Sequence, residues 1–216
     1  MNDFEKLIEK ILQHFAGENL RDELIMAKKH FFGNVTLSDE NSEQFEMRMA
    51  QFYDWYFFTR SLSGYGQTPL KSCFMARELR FSDQEKVLLE AFNKNIHSLF
   101  QFIKMKDQDV HIKNLFNGKK LIVKKSPWIY GFEVDEFFEA RLIPFGETYV
   151  FTRGLCFHPQ SASAYILSEI KAHSLDPDLN PDDLMLKLIK MRYKFEQYKH
   201  LQPDMIYSND SKVLSR

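Results

Sequence analysis

The chain has 216 residues, 44% of them hydrophobic and 15% aromatic, and its 29 basic side chains nearly cancel its 30 acidic ones for a net charge of −1. Such a composition supports a buried core and excludes a disordered chain, and the even balance provides no whole-molecule field to draw in nucleic acid, an anionic membrane or an acidic substrate. The two cysteines, Cys73 and Cys156, lie in apolar surroundings with no CxxC or histidine at ligand spacing, so they read as buried free thiols of a reducing cytoplasm.

The opening MNDFEKLIEKILQHF is amphipathic and lacks the basic start and apolar run of a secretory leader. No window approaches the roughly 18 apolar residues of a membrane span, and a cytoplasmic protein is expected. Asn2 and Glu5 form a capping-box pattern, and Phe4, Leu7, Ile8, Ile11, Leu12 and Phe15 follow at helical spacing, predicting a helix from Asp3 to Ala16. Leu20, Leu24, Ile25 and Phe31 or Phe32 mark a second helix that stops near Gly33.

A polar connection with several N-caps between Ser38 and Ser42 precedes the third helix, whose buried stripe reads as Phe45, Met49, Phe52, Tyr53 and Tyr56. Six of the seven residues from Phe52 to Phe58 are aromatic, so both faces of this helix must be covered. Asp54 and Arg60 are charges embedded in that run and read as structural, Arg60 pairing with Asp54 or another acid or capping carbonyls at the helix end. After SGYGQTP a further short helix is expected over Leu70 to Arg80, and the Ser82/Glu85 capping box opens another through Phe92 to about Lys94.

From His97 the apolar period falls to two. HSLFQFIKM, DQDVHIKNLF and NGKKLIVKK read as three strands, and WIYGFEV, FFEARLIPF and ETYVFTRGLCF supply more. Asn117-Gly118 predicts a type I′ hairpin. Five or six short antiparallel strands favour closure into a small barrel or strongly curled sheet. A helix follows His158-Pro159, and Asn180 with Pro181 starts the last one, striped by Leu184, Leu188, Met191, Phe195 and Tyr198.

No GxSxG, Walker A, strand-borne GxGxxG, HExxH or DxDxG is present, and SGYG follows a helix with no GK[ST] after it. The seven histidines are scattered singly, so neither a metal nor a cofactor is implied. Glu133, Asp135, Glu136 and Glu139 form an acidic cluster, and strand alternation is expected to turn Glu136 and Glu139 to solvent.

The clearest local charge is basic: Lys104, Lys106, Lys113, Lys119, Lys120, Lys124 and Lys125 stand against Asp107 and Asp109. Lysines around aromatic side chains on a curled sheet suit single-stranded nucleic acid, through phosphate attraction and base stacking. Exposed lysine is also the ordinary protection of an edge strand.

An aromatic helix with a D-W-[FY]-[FIV]-[FL] core (Asp54, Trp55, Tyr56, Phe57, Phe58), then Arg60, then a G-x-T-P turn (Gly66, Thr68, Pro69), leads into a Phe-rich strand (Phe100, Phe102) and the Asn117-Gly118 hairpin. A later A-R-L-I-P segment comprises Ala140 to Pro144. This order resembles a family of uncharacterised bacterial proteins over residues 45 to 158, with the terminal helical regions outside it. The resemblance implies a fold and no activity.

The expected fold is α+β: a helical region over 1–95, a small barrel-like antiparallel sheet over 96–158, C-terminal helices over 159–202 and a disordered tail over 203–216. The expected function is a non-enzymatic interaction protein. Phe116, Trp128, Tyr130 and Phe132 would anchor another protein, with Arg141 and Arg153 as positioning groups. The alternative is a single-stranded nucleic-acid binder using Lys119, Lys120, Lys124 and Lys125.

Overall fold

The structure is a computed structural model that describes residues 3–33, 35, 42–124, 131–176 and 178–209. The N-terminal layer holds α1 (Asp3–Phe15), α2 (Arg21–Phe32), α3 (Glu43–Phe58), α4 (Pro69–Ser72) and α5 (Asp83–Asn93). Local chemistry sets their starts. The Ser42 hydroxyl accepts from the Phe45 amide to begin α3, and Ser82 and Glu85 complete a reciprocal capping box at α5. The expected helix over Leu70 to Arg80 is confined to α4: the chain turns after Cys73, and Phe74 and Met75 are exposed, so a longer helix would have had no face to bury.

Among the described residues six strands follow: β1 (Ile96–Lys106), β2 (Asp109–Asn114), β3 (Lys120–Val123), β4 (Phe137–Phe145), β5 (Thr148–Phe151) and β6 (Cys156–Phe157). β1 pairs with β4 through its first half and with β2 through its second, and its register shifts between Phe102 and Lys104, where the strand bends from one partner to the other. β3 runs parallel to β5 at Val123 and Tyr149, so β1-β2-β3-β5-β4 closes into a barrel, with β6 added to β4.

The turn chemistry differs from the expectation. Positive φ at two successive residues occurs at Asp107 (51°) and Gln108 (70°), between β1 and β2, whereas only Gly118 (72°) of the Asn117-Gly118 pair adopts it. The buried Asn114 carboxamide accepts from the Phe116 amide, and Gly118 donates to the Asn114 carbonyl at 2.8 Å, giving a wider loop that needs left-handed backbone only at its glycine. The described part of WIYGFEV, residues 131–134, is loop rather than strand.

Phe100, Phe102, Val110, Ile112, Val123, Phe138 and Leu142 fill the barrel. Outside it, α6 (Ser163–Leu175), α7 (Pro181–Gln197) and α8 (Pro203–Ile206) complete the fold. Asn180 caps α7 by accepting from the Asp182 amide, with Pro181 in its first turn. The tail expected to be disordered is anchored through 209: Ile206 and Tyr207 are 1% and 3% exposed and join α6, α7 and Leu99 of β1 in one cluster. A larger aromatic cluster joins α1, α2, α3, α5 and α7 to Ile143 of β4, so the helices and the barrel share buried surface.

Candidate functional site

The outer wall of the barrel has two halves. The β4 half is packed under helices and is polar at its centre. Arg141 is 3% exposed, and its Nε donates to Asp54 Oδ2 at 2.8 Å, Nη1 to Asn95 Oδ1 at 2.6 Å and Nη2 to Thr59 Oγ1 at 2.8 Å. The guanidinium also lies over the Phe58 ring, 4.6 Å from its centroid. Asp54 therefore pairs with Arg141. Arg60 pairs with Glu23 of α2 instead, at 2.8 Å, and packs over Trp55.

Beside Arg141 across the β1·β4 ladder sits His97, held between two acids: Nδ1 is 2.8 Å from Asp182 Oδ1 and Nε2 is 2.9 Å from Glu139 Oε1. Burial and the Arg141 charge both push the imidazole pKa down, but the bonds to Asp182 and Glu139 outweigh them and leave it raised. The bond from His97 in turn lowers Asp182 against the opposing effect of burial. Glu139 is 2% exposed, contrary to the alternation expected of β4, because helices cover the face that a free sheet would turn to water. A polar cavity of about 390 Å³ opens beside these residues, lined also by Asn93, Thr68 and Lys71.

The other half of the wall, formed by the end of β1 with β2 and β3, carries the lysines. The registers place Gln101, Lys113 and Lys120 in one outward row, Lys104, His111 and Ile122 in the next, and Lys106 and Asp109 in the third, with Lys124, just past the end of β3, reaching Asp109 as its ion-pair partner. Alternation puts Phe102, Ile112, Leu121 and their neighbours inside the barrel, so these nine outward positions hold five lysines (Lys104, Lys106, Lys113, Lys120, Lys124) and one acid. Lys124 bridges to Asp109 at 2.7 Å, and no ion pair to Lys104, Lys113 or Lys120 forms among the described residues. Lys119 is exposed in the β2–β3 loop.

Two of the expected aromatic anchors, Phe132 and Phe116, lie away from this face. Phe132 is half-buried, stacked on Phe102 at 4.9 Å and against Phe138 and Phe157, and plugs the barrel. Phe116 is half-buried against the α6–α7–α8 cluster. Arg141 is interior, which removes it from any partner surface, while Arg153 is half-exposed and bonded to Glu5 at 2.8 Å. Trp128, Tyr130 and Lys125 lie outside the described residues.

Fold and wall together define an α+β protein built around a closed five-stranded barrel, in the order 1-2-3-5-4 with β1 returning to β4. The chain belongs to DUF7986, a family of unknown function, which matches residues 2–180. The family thus takes in α1, α2 and α6, beyond the 45–158 over which the sequence motifs carried a resemblance. No curated protein and no solved structure matches the chain. Among the described residues no helix is long and apolar enough to cross a membrane.

Proposed function

We propose that the protein is a non-enzymatic binder of single-stranded nucleic acid, held on the outward face of β1, β2 and β3. The observation that carries this reading is the set of five lysines against one acid on nine adjacent positions, in a chain whose net charge is −1. This barrel wall presents regularly spaced ammonium groups to a phosphate backbone, with His111 and Ile122 at the centre for bases to rest on. The face has no arginine, which favours binding without sequence preference. In the alternative reading, a protein partner held by Phe116, Trp128, Tyr130 and Phe132, two of the anchors, Phe116 and Phe132, pack inside the chain, and Trp128 and Tyr130 lie outside the described residues.

The interior polar network has a structural use. Both nitrogens of His97 are engaged by carboxylates, Nδ1 by Asp182 and Nε2 by Glu139. Such an arrangement fixes β1, β4 and α7 to one another.

The test is fluorescence anisotropy of labelled oligo-dT and oligo-rU against the purified chain over a range of salt. The expected slope of log K on log salt is about −0.7 for each phosphate neutralised, so roughly −2 to −3.5 if three to five lysines engage. Neutralising Lys104, Lys113 and Lys120 to Gln should weaken binding at least about tenfold at low salt, and adding Lys119→Gln and Lys124→Gln should weaken it further. No binding at low salt, or binding indifferent to these changes, would reject the proposal.

A further inference from the structure

A groove of about 810 Å³ runs between α1 and α3, with β4 and β5 at its floor. Two half-buried stripes face each other across it: Phe4, Ile8 and Leu12 on α1, and Phe45, Met49 and Tyr53 on α3. Each stripe repeats every four residues, the spacing of a face meant to be covered, yet here both are only partly covered by the chain's own described residues. The volume is that of a pocket for a drug-sized molecule.

The charged groups of the groove are mostly acids. Among the described residues four carboxylates line it, on Glu5, Glu9, Glu46 and Asp54, against one guanidinium, that of Arg153, which is bonded to Glu5. Asp54 is the informative one. Its side chain is 9% exposed, Oδ2 is taken by Arg141, and Oδ1 is buried with no hydrogen-bond partner among the described residues. A buried carboxylate oxygen left without a donor is a standing cost, and a donor delivered by a ligand would recover it.

We infer that this groove is a binding site for an amphiphilic amine, a molecule with an apolar body and an ammonium or amine N–H head. The body lies between the two stripes. The head donates to Asp54 Oδ1, and the acids at the lips favour its positive charge. This site is separate from the lysine face in both residues and sign of charge, so either proposal can fail without the other.

Octylamine, octanol and octanoate, titrated separately into the full chain at neutral pH by calorimetry and amide NMR, distinguish the occupants. The inference expects saturable octylamine binding at least about tenfold tighter than octanol, octanoate weaker than both, and shifts confined to α1, α3 and β5. Filling the groove with Met49→Trp, a half-buried site that leaves the Asp54–Arg141 pair intact, should abolish binding. Asp54→Asn, if folded, should bring octylamine down to the level of octanol. Octanol equal to octylamine would mark a merely apolar crevice, and no saturation or survival in Met49→Trp would mark no site here; each of these overturns the inference.

Discussion

Arg141 and Asp54, 87 positions apart in the chain, meet at 2.8 Å with the guanidinium 3% and the carboxylate 9% exposed. This contact joins the middle strand of the covered barrel wall to the aromatic helix α3. Because both charges are out of water, removing either leaves the other uncompensated. Arg141→Met or Asp54→Ala is expected to cost about 3–5 kcal/mol in urea unfolding, whereas the paired Asp54→Leu/Arg141→Met variant should recover much of that loss. Arg141→Lys should also destabilise, because a single ammonium cannot reach Asp54, Asn95 and Thr59 together.

The close approach of Gly154 to Asp54 makes a second prediction. A Cβ on Gly154 would lie 2.7 Å from the Asp54 Cβ and 2.9 Å from its Cγ, in a place where neither backbone can yield easily. Gly154→Ala should cost about 1–3 kcal/mol by overpacking. Gly64→Ala, with open space around the added carbon, should move the unfolding midpoint little.

His97 gives the protein a pH dependence on its alkaline side. Its folded pKa is raised above the ordinary 6.5, so the stability it contributes is fully present below 6.5 and is lost as pH rises through the folded value. Thermal unfolding of wild type and His97→Gln across pH 5.5 to 9 should show the largest gap at the acid end, narrowing as pH rises. A gap that widened with pH would contradict the two-carboxylate clamp.

His158 acts in the opposite direction. Burial, with a smaller push from Arg192, holds its pKa down to about 3. As pH falls from 6.5 the unfolded imidazole takes up a proton that the buried ring refuses, so stability drops by up to about 1.4 kcal/mol per pH unit. His158→Phe should flatten this acid limb of the stability curve.

Tyr207 places its hydroxyl 3.2 Å from His158 Nδ1 and, with Ile206, closes the cluster beneath α6 and α7. Ending the chain at Gln202 should therefore cost about 3 kcal/mol or more from the two lost side chains alone, read as a lower unfolding midpoint. It should also weaken the acid sensitivity, by letting water reach His158.

How much of this was legible in the residues depends on the range of the interaction. The Ser82–Glu85 capping box, the Asn180-Pro181 start of α7 and the strands over HSLFQFIKM and FFEARLIPF are written in neighbours one to four positions apart, and they appear where expected. The failures share a cause. Strand alternation predicts a solvated Glu139 because it says nothing about what covers the second face, where the side chain is in fact buried. Phe45, Met49 and Tyr53 were read as part of a buried stripe, and the helical period cannot say that their half of it faces a groove. Asn117-Gly118 has the composition of a tight turn, but the buried Asn114 side chain intercepts the Phe116 amide and widens it. Of the candidate site, the lysines were visible as a run of charge; that they stand on one face was not.

Sequence alone determined that the chain is α+β, where most of its helices begin, where most of its strands lie, and that positive charge gathers between Lys104 and Lys125. Those follow from backbone capping and side-chain period, which act within a turn or a pleat. Tertiary structure alone decided that β3 meets β5 to close the barrel, that Asp54 takes Arg141 while Arg60 takes Glu23, and that His97 is clamped by two acids. Among the described residues it also leaves most lysines of one barrel wall exposed and the groove between α1 and α3 only partly covered. Charge pairing and burial are properties of where distant segments come to rest, and desolvation in that setting decides which of several equally charged neighbours becomes a partner.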